Sequence, residues 1–139
     1  MVRVPPADDT ALMQVFLVED SEIVRQRLET MLSDVPGTRI VGRAAGAQAA
    51  IRDILLARPD LVVLDVQLAE GSGFDVLRAL HAQAPELDVV MLSNYSSDPY
   101  RQIAERFGAR AFFDKTREFE RVRDVVANPG EMPCKPSSH

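Results

Sequence analysis

Leu61-Val62-Val63-Leu64-Asp65 reads as the most deeply buried strand of the chain, and it runs directly into a carboxylate. An apolar run without polar alternation points to a strand covered on both faces. Upstream, Val15-Phe16-Leu17-Val18 has the same character and ends at Glu19-Asp20. Ser21 can cap the helix that follows, with Glu22 in its first turn. Ile23, Val24, Arg27, Leu28, Met31, Leu32 and Val35 then recur at helical spacing until Pro36-Gly37. Thr38 to Ala45 reads as a less apolar edge strand, and Ala47 to Ala57 as a helix broken by Arg58-Pro59-Asp60.

Downstream, Gly71, Ser72 and Gly73 make a flexible turn before a helix lined by Phe74, Leu77, Leu80 and His81. Val89 to Leu92 is a fourth strand, closed by Ser93-Asn94. Pro99 lies near the start of a helix carrying Tyr100, Ile103, Ala104 and Phe107, with Gly108 as its C-cap. Ala111-Phe112-Phe113 forms a fifth strand ending at Asp114-Lys115, and Phe119, Val122, Val125 and Val126 mark a fifth helix. Five strands alternating with five helices imply an α/β fold, a parallel sheet covered on both sides. Residues 1–12 read as a flexible arm, 13–127 as one domain and 128–139 as a flexible tail.

The chain has 139 residues, of which 46 % are hydrophobic and 27 % charged, enough for a core without metals or disulfides. Its net charge of -5 argues against direct nucleic-acid binding as the main task. The one cysteine, Cys134, excludes a disulfide framework within the chain. No run of eighteen apolar residues suggests a membrane span, and the N-terminus does not read as a signal peptide, so a cytoplasmic location is expected. Glu19-Asp20-Ser21 stands where a dinucleotide-binding fold would want glycines.

Ligand sites in such sheets lie beyond the carboxyl ends of the strands. Glu19, Asp20, Asp65, Ser93 and Lys115 all fall just past those ends. Taken singly, each acid reads equally well as a helix cap. Together, three acids repel unless a cation lies among them, and a hard divalent cation such as magnesium, with manganese as the alternative, suits oxygen ligands. Asp65 is the candidate nucleophile, since an aspartate carboxylate can attack phosphorus and form an acyl phosphate without a base. Lys115 would neutralise the transferring oxygens, or pair at rest with Asp65 or Asp20, and Ser93 could donate a hydrogen bond to a phosphoryl oxygen. Neither His81 nor His139 is placed to act as a base.

In this order and at these intervals, the residues resemble the receiver domain of bacterial two-component response regulators, over roughly residues 13–127. Val15 to Asp20 is similar to the family's first strand and acidic pair, and Leu61 to Asp65 to its third strand and phospho-acceptor. Gly73, Ser93 and Lys115 match the family's glycine, switch hydroxyl and lysine. The resemblance implies a flavodoxin-like sheet of order 2-1-3-4-5. It implies magnesium held by Glu19, Asp20, Asp65 and the backbone carbonyl of Gln67. It implies phosphoryl transfer to Asp65 from a sensor histidine kinase or histidine phosphotransfer protein, and slow autodephosphorylation. Ser93 and an aromatic, here Phe112, would form the switch, changing the face of the fourth helix, fifth strand and fifth helix that meets a downstream protein or a second copy.

Several positions depart from the family pattern. Phe112 lacks the hydroxyl of the common tyrosine. Thr116 replaces the proline after the lysine, where a cis bond would cost about 2.5–4 kcal/mol; cis and trans both stay open, and Thr116 is left to cap the fifth helix. Ala69 replaces a common proline, and Asn94-Tyr95 adds bulk near Asp65. Two output readings stay open, a stand-alone receiver and the front of a longer, DNA-binding regulator. Two other classes compete with the phospho-switch: an interaction module that switches without phosphate, and a phosphatase-like hydrolase. The hydrolase would need an acid at Gln67.

Overall fold

The computed structural model describes residues 13–94 and 98–128. The arm at 1–12, Tyr95, and the tail beyond Asn128 with Cys134 and His139 lie outside the described residues. Five strands, β1 Met13–Val18, β2 Thr38–Ala44, β3 Leu61–Asp65, β4 Asp88–Ser93 and β5 Ala111–Asp114, form one sheet in the order β2-β1-β3-β4-β5. Every pairing between them is parallel. The helices are α1 Glu22–Ser33, α2 Ala47–Ala57, α3 Gly73–Gln83, α4 Asp98–Arg106 and α5 Arg121–Ala127. Among the described residues no helix is long and apolar enough to cross a membrane.

Strand parity divides the core in two. Phe16, Val18, Val62, Leu64, Met91 and Phe112 pack with Ile54 of α2, Leu77 and Leu80 of α3 and Ala104 of α4. Val15, Leu17, Leu61, Val63, Leu92 and Phe113 pack with Leu28 and Leu32 of α1 and Val122 and Val126 of α5. All five residues of β3 are buried, as expected of a strand covered on both faces.

The helix starts show why each element begins where it does. Ser21 Oγ accepts from Val24 N at 3.3 Å. Ser72 and Asp75 form a reciprocal capping box, Phe74 N donating to Ser72 Oγ at 2.9 Å and Ser72 N to Asp75 Oδ2 at 3.2 Å. α2 follows Gly46, which has no side chain to cap it, and Glu70 from the β3–α3 loop serves instead: its carbonyl accepts Ala47 N at 2.8 Å. Arg58 closes α2 in the left-handed region, with φ 50. Gly108 ends α4 with φ +86, as the sequence suggests.

Two local expectations need correction, at α3 and at Thr116. The inner face of α3 is Val76, Leu77 and Leu80, while Phe74 is half-buried and His81 exposed. α4 buries only Ala104 among its described residues, and Tyr100 and Ile103 are exposed. Thr116 caps nothing. Asp114 Oδ1 accepts Thr116 N at 2.8 Å and Arg117 N at 2.9 Å, so a separate turn intervenes before α5 starts at Arg121. No peptide bond among the described residues is cis, so Lys115–Thr116 is trans.

Candidate functional site

Asp65 is the last residue of β3 and is 4 % exposed. Its position is set by backbone contacts on both sides. Val66 N donates to Leu92 O at 3.1 Å, and Gly73 N to Val66 O at 2.7 Å. Gly73 lies so close beneath that a Cβ there would overlap the Asp65 carbonyl oxygen. Glycine is required at 73 for this approach and not for its backbone angles.

Glu19, Asp20 and Asp65 converge, with one carboxylate oxygen from each lying within 4.8 Å of the others. Successive residues leave a strand in opposite directions. Glu19 therefore turns inward and is 1 % exposed, while Asp20 is exposed. Lys115 reaches the cluster from the end of β5, its backbone N donating to Ser93 O at 2.8 Å. Its Nζ lies 3.0 Å from Asp65 Oδ2 and 3.0 Å from Glu19 Oε1. The partner is thus Glu19 together with Asp65, and not Asp20. The Asp65 contact is a hydrogen bond. The Glu19 contact is an ion pair without hydrogen-bond alignment, which leaves buried Oε1 with no directed partner.

Burial pushes the Glu19 carboxyl up to about 7, helped by the charge of Asp65 and opposed by Ser21 N–H and Lys115. For Lys115, burial acts to lower the pKa. Its pairing with Asp65 and Glu19 outweighs that, and the net direction is upward. A buried carboxylate oxygen without a directed donor, beside two further carboxylates, fits a cation bound by oxygen ligands.

Ser93 ends β4, is 1 % exposed and lies opposite Asp114 in the sheet. The Gln67 side chain is exposed, and its backbone forms an antiparallel bridge with Ser72, with Gln67 N 3.4 Å from Asp65 Oδ1. Phe112 is not at the rim but in the core layer beneath α2–α4. Sequence reasoning missed Glu70, Asp114, Glu118 and Arg101, which hold the loops around the rim. A capless Gly46 and an aspartate at the end of a strand were the available signals for the first two.

A family model described as the response regulator receiver domain matches residues 15–127. The chain is 36 % identical over 104 residues to the DNA-binding transcriptional activator DevR/DosR of Mycobacterium tuberculosis, covering 75 % of this chain and 48 % of that protein. It is 33 % identical over 111 residues to a protein-glutamate methylesterase/protein-glutamine glutaminase of Carboxydothermus hydrogenoformans, covering 78 % of this chain and 32 % of that protein. The chain thus spans about a third to a half of these relatives' length. In structure it is similar to the response regulator domain of Thermotoga maritima CheB, with TM-score 0.74, 22 % identity, and 84 % and 92 % of the two chains covered. A LuxR-family two-component response regulator from Aurantimonas gives TM-score 0.76 at 22 % identity, with 91 % of each chain covered. These structural likenesses show the fold; the family model shows the kinship. The chain belongs to the response regulator receiver domains.

Proposed function

We propose that this chain is a phosphoryl-accepting switch of a two-component phosphorelay, with Asp65 as the acceptor. The observation that carries the reading is the Lys115 ammonium, 3.0 Å from both Asp65 and Glu19 at the carboxyl rim of the sheet. A carboxylate oxygen of Asp65 attacks the phosphorus of a partner's phosphohistidine. The P–N bond breaks, its electron pair leaves with the imidazole, and an acyl phosphate remains on Asp65. Magnesium or manganese, held by Glu19, Asp20, Asp65 and the Gln67 carbonyl, would supply positive charge at the transferring oxygens. Lys115 offsets the same charge from the protein side. Ser93 donates a hydrogen bond to a phosphoryl oxygen, and the position of Phe112 carries the change to the α4–β5–α5 face. Water placed in line later hydrolyses the acyl phosphate.

The phosphoryl donor in this reading is a sensor histidine kinase or a histidine phosphotransfer protein, in the cytoplasm. The downstream partner is a protein, or a second copy, that reads the α4–β5–α5 face. The curated relatives are named for a DNA-binding activator and for a methylesterase, so receiver chemistry does not by itself choose the output. The test is intact mass after incubation with acetyl phosphate, with and without magnesium, alongside Asp65→Asn. A magnesium-dependent phosphoryl adduct, absent in the variant, is expected. No adduct, together with no magnesium binding, would overturn the reading in favour of an interaction module.

A further inference from the structure

α4 is tied to its neighbours by two successive side chains that reach in different directions. Tyr100 stacks on Phe74 of α3, with ring centroids 6.0 Å apart and planes 5° from parallel. Arg101 reaches toward β5, and its Nη1 donates to the carbonyl oxygen of Phe112 at 2.9 Å. Its Nη2 lies 3.4 Å from Glu118 Oε1. The guanidinium carbon lies 5.2 Å from the centroid of the Phe112 ring. Glu118 is itself anchored: Oε1 accepts Asp114 N at 2.9 Å, and Oε2 pairs with Arg121 at 2.9 Å. Phe112 is 9 % exposed, whereas the Arg101 side chain is 40 % exposed, so the guanidinium is the outer cover of a buried ring.

We propose that Arg101 is a positioning residue for Phe112, the clasp that holds the ring in its buried place and sets how far a phosphoryl group on Asp65 shifts it. The proposal rests on the reading of Asp65 as phosphoryl acceptor. Phe112 has no hydroxyl, so the ring can form no hydrogen bond in either position. Arg101 supplies a polar tie from outside instead, to the backbone of the same residue and to the carboxylate four residues after Asp114. For the ring to swing outward, the guanidinium must leave its face, and the Phe112 carbonyl and Glu118 contacts are strained or lost together. Only a planar fork can make both contacts while lying over the ring. A lysine could keep the charge near the ring but not both contacts.

The test replaces all six phenylalanines by 4-fluorophenylalanine and follows the Phe112 fluorine line, assigned by Phe112→Leu. Spectra are taken with and without magnesium and beryllofluoride, a phosphoryl mimic. Arg101→Ala is expected to move the resting Phe112 line toward its position in the unfolded protein. It should also change the mimic-induced shift by at least about twofold. Arg101→Lys should fall between wild type and Arg101→Ala, and it serves as the second variant if the alanine variant folds poorly. A purely structural role would lower the melting temperature while leaving the Phe112 line of the folded protein in place. A Phe112 line in folded Arg101→Ala or Arg101→Lys that matches wild type in both conditions would overturn the proposal. Acetyl phosphate labelling in parallel separates the two readings. Absence of an adduct together with absence of magnesium binding in wild type strikes at Asp65, whereas a line indifferent to Arg101 strikes at the clasp.

Discussion

The carboxylates of Glu19 and Asp65 share one ammonium, with Lys115 Nζ lying 3.0 Å from an oxygen of each. One positive charge between two buried negative ones leaves the pair short of a cation. The shortfall appears at Glu19, whose carboxyl is raised from 4.5 to about 7, first by burial and then by Asp65.

A raised folded-state value means that the folded protein holds this proton more tightly than the unfolded chain. Stability from Glu19 is therefore fully present below about pH 4.5 and is lost as pH rises through about 7. In EDTA, Glu19→Gln should be more stable than wild type at pH 8, by on the order of 1–3 kcal/mol. The advantage should shrink toward pH 5. Urea melts at the two pH values check this, and a difference that does not change with pH would contradict the burial argument.

Removing the shared ammonium should have the opposite effect. Lys115→Ala leaves two buried carboxylates facing each other, at a cost of about 3 kcal/mol at pH 8 without divalent cation. Magnesium should restore more stability to this variant than to wild type, because a bound cation replaces the missing charge. Thermal melts with and without magnesium decide it. An equal magnesium gain in both proteins would show that Lys115 and the cation do not act on the same charges.

Gly73 and Ser72 are neighbours with different jobs. Gly73→Ala places a methyl group where the Asp65 carbonyl oxygen lies. It should cost about 1–3 kcal/mol and weaken magnesium binding, because the end of β3 must shift. Ser72→Ala removes one half of the capping box and should cost about 1 kcal/mol with little change in magnesium affinity. Denaturation together with calorimetric magnesium titration of both variants separates the two roles.

Arg58 is the only described residue other than glycine with positive φ. The left-handed conformation costs a side chain of this kind about 1–2 kcal/mol, while glycine gives back part of that through its freer unfolded chain. Arg58→Gly should therefore raise stability slightly, by about 0.5 kcal/mol. A melting temperature below that of wild type would show that the Arg58 side chain contributes more than its backbone costs.

The fold was legible because strand and helix periodicities are both carried almost without interruption. Val15 to Val18 and Leu61 to Leu64 are buried throughout, so an unbroken apolar run meant what it usually means. The convergence of Glu19, Asp65 and Lys115 was legible for a geometric reason: parallel strands end on one rim. Which acid meets the lysine was not legible. That depends on Glu19 turning inward and Asp20 outward at the end of β1, and both residues are acids, so hydropathy cannot tell them apart. The start of α5 was misread because Asp114, and not Thr116, receives the free N–H groups after β5. How little α4 covers was not legible from Tyr100, Ile103, Ala104 and Phe107: of these only Ala104 is fully buried, and Phe107, just past the helix, is partly buried against the core.

That thin attachment of α4 gives the domain a direction. In apolar burial alone, displacing α4 gives up roughly one buried methyl group, about 0.8 kcal/mol, beside the Tyr100–Phe74 stack and the Arg101 contacts. Displacing α3 would uncover Val76, Leu77 and Leu80, at roughly 1.5–3 kcal/mol each. One new hydrogen bond to a charged group at the rim is worth about 1.5–3 kcal/mol, more than the apolar burial of α4 and less than that of α3. Under the proposed phosphoryl transfer to Asp65, two helices on the same face of the sheet thus present unequal thresholds, a low one at α4 and a high one at α3.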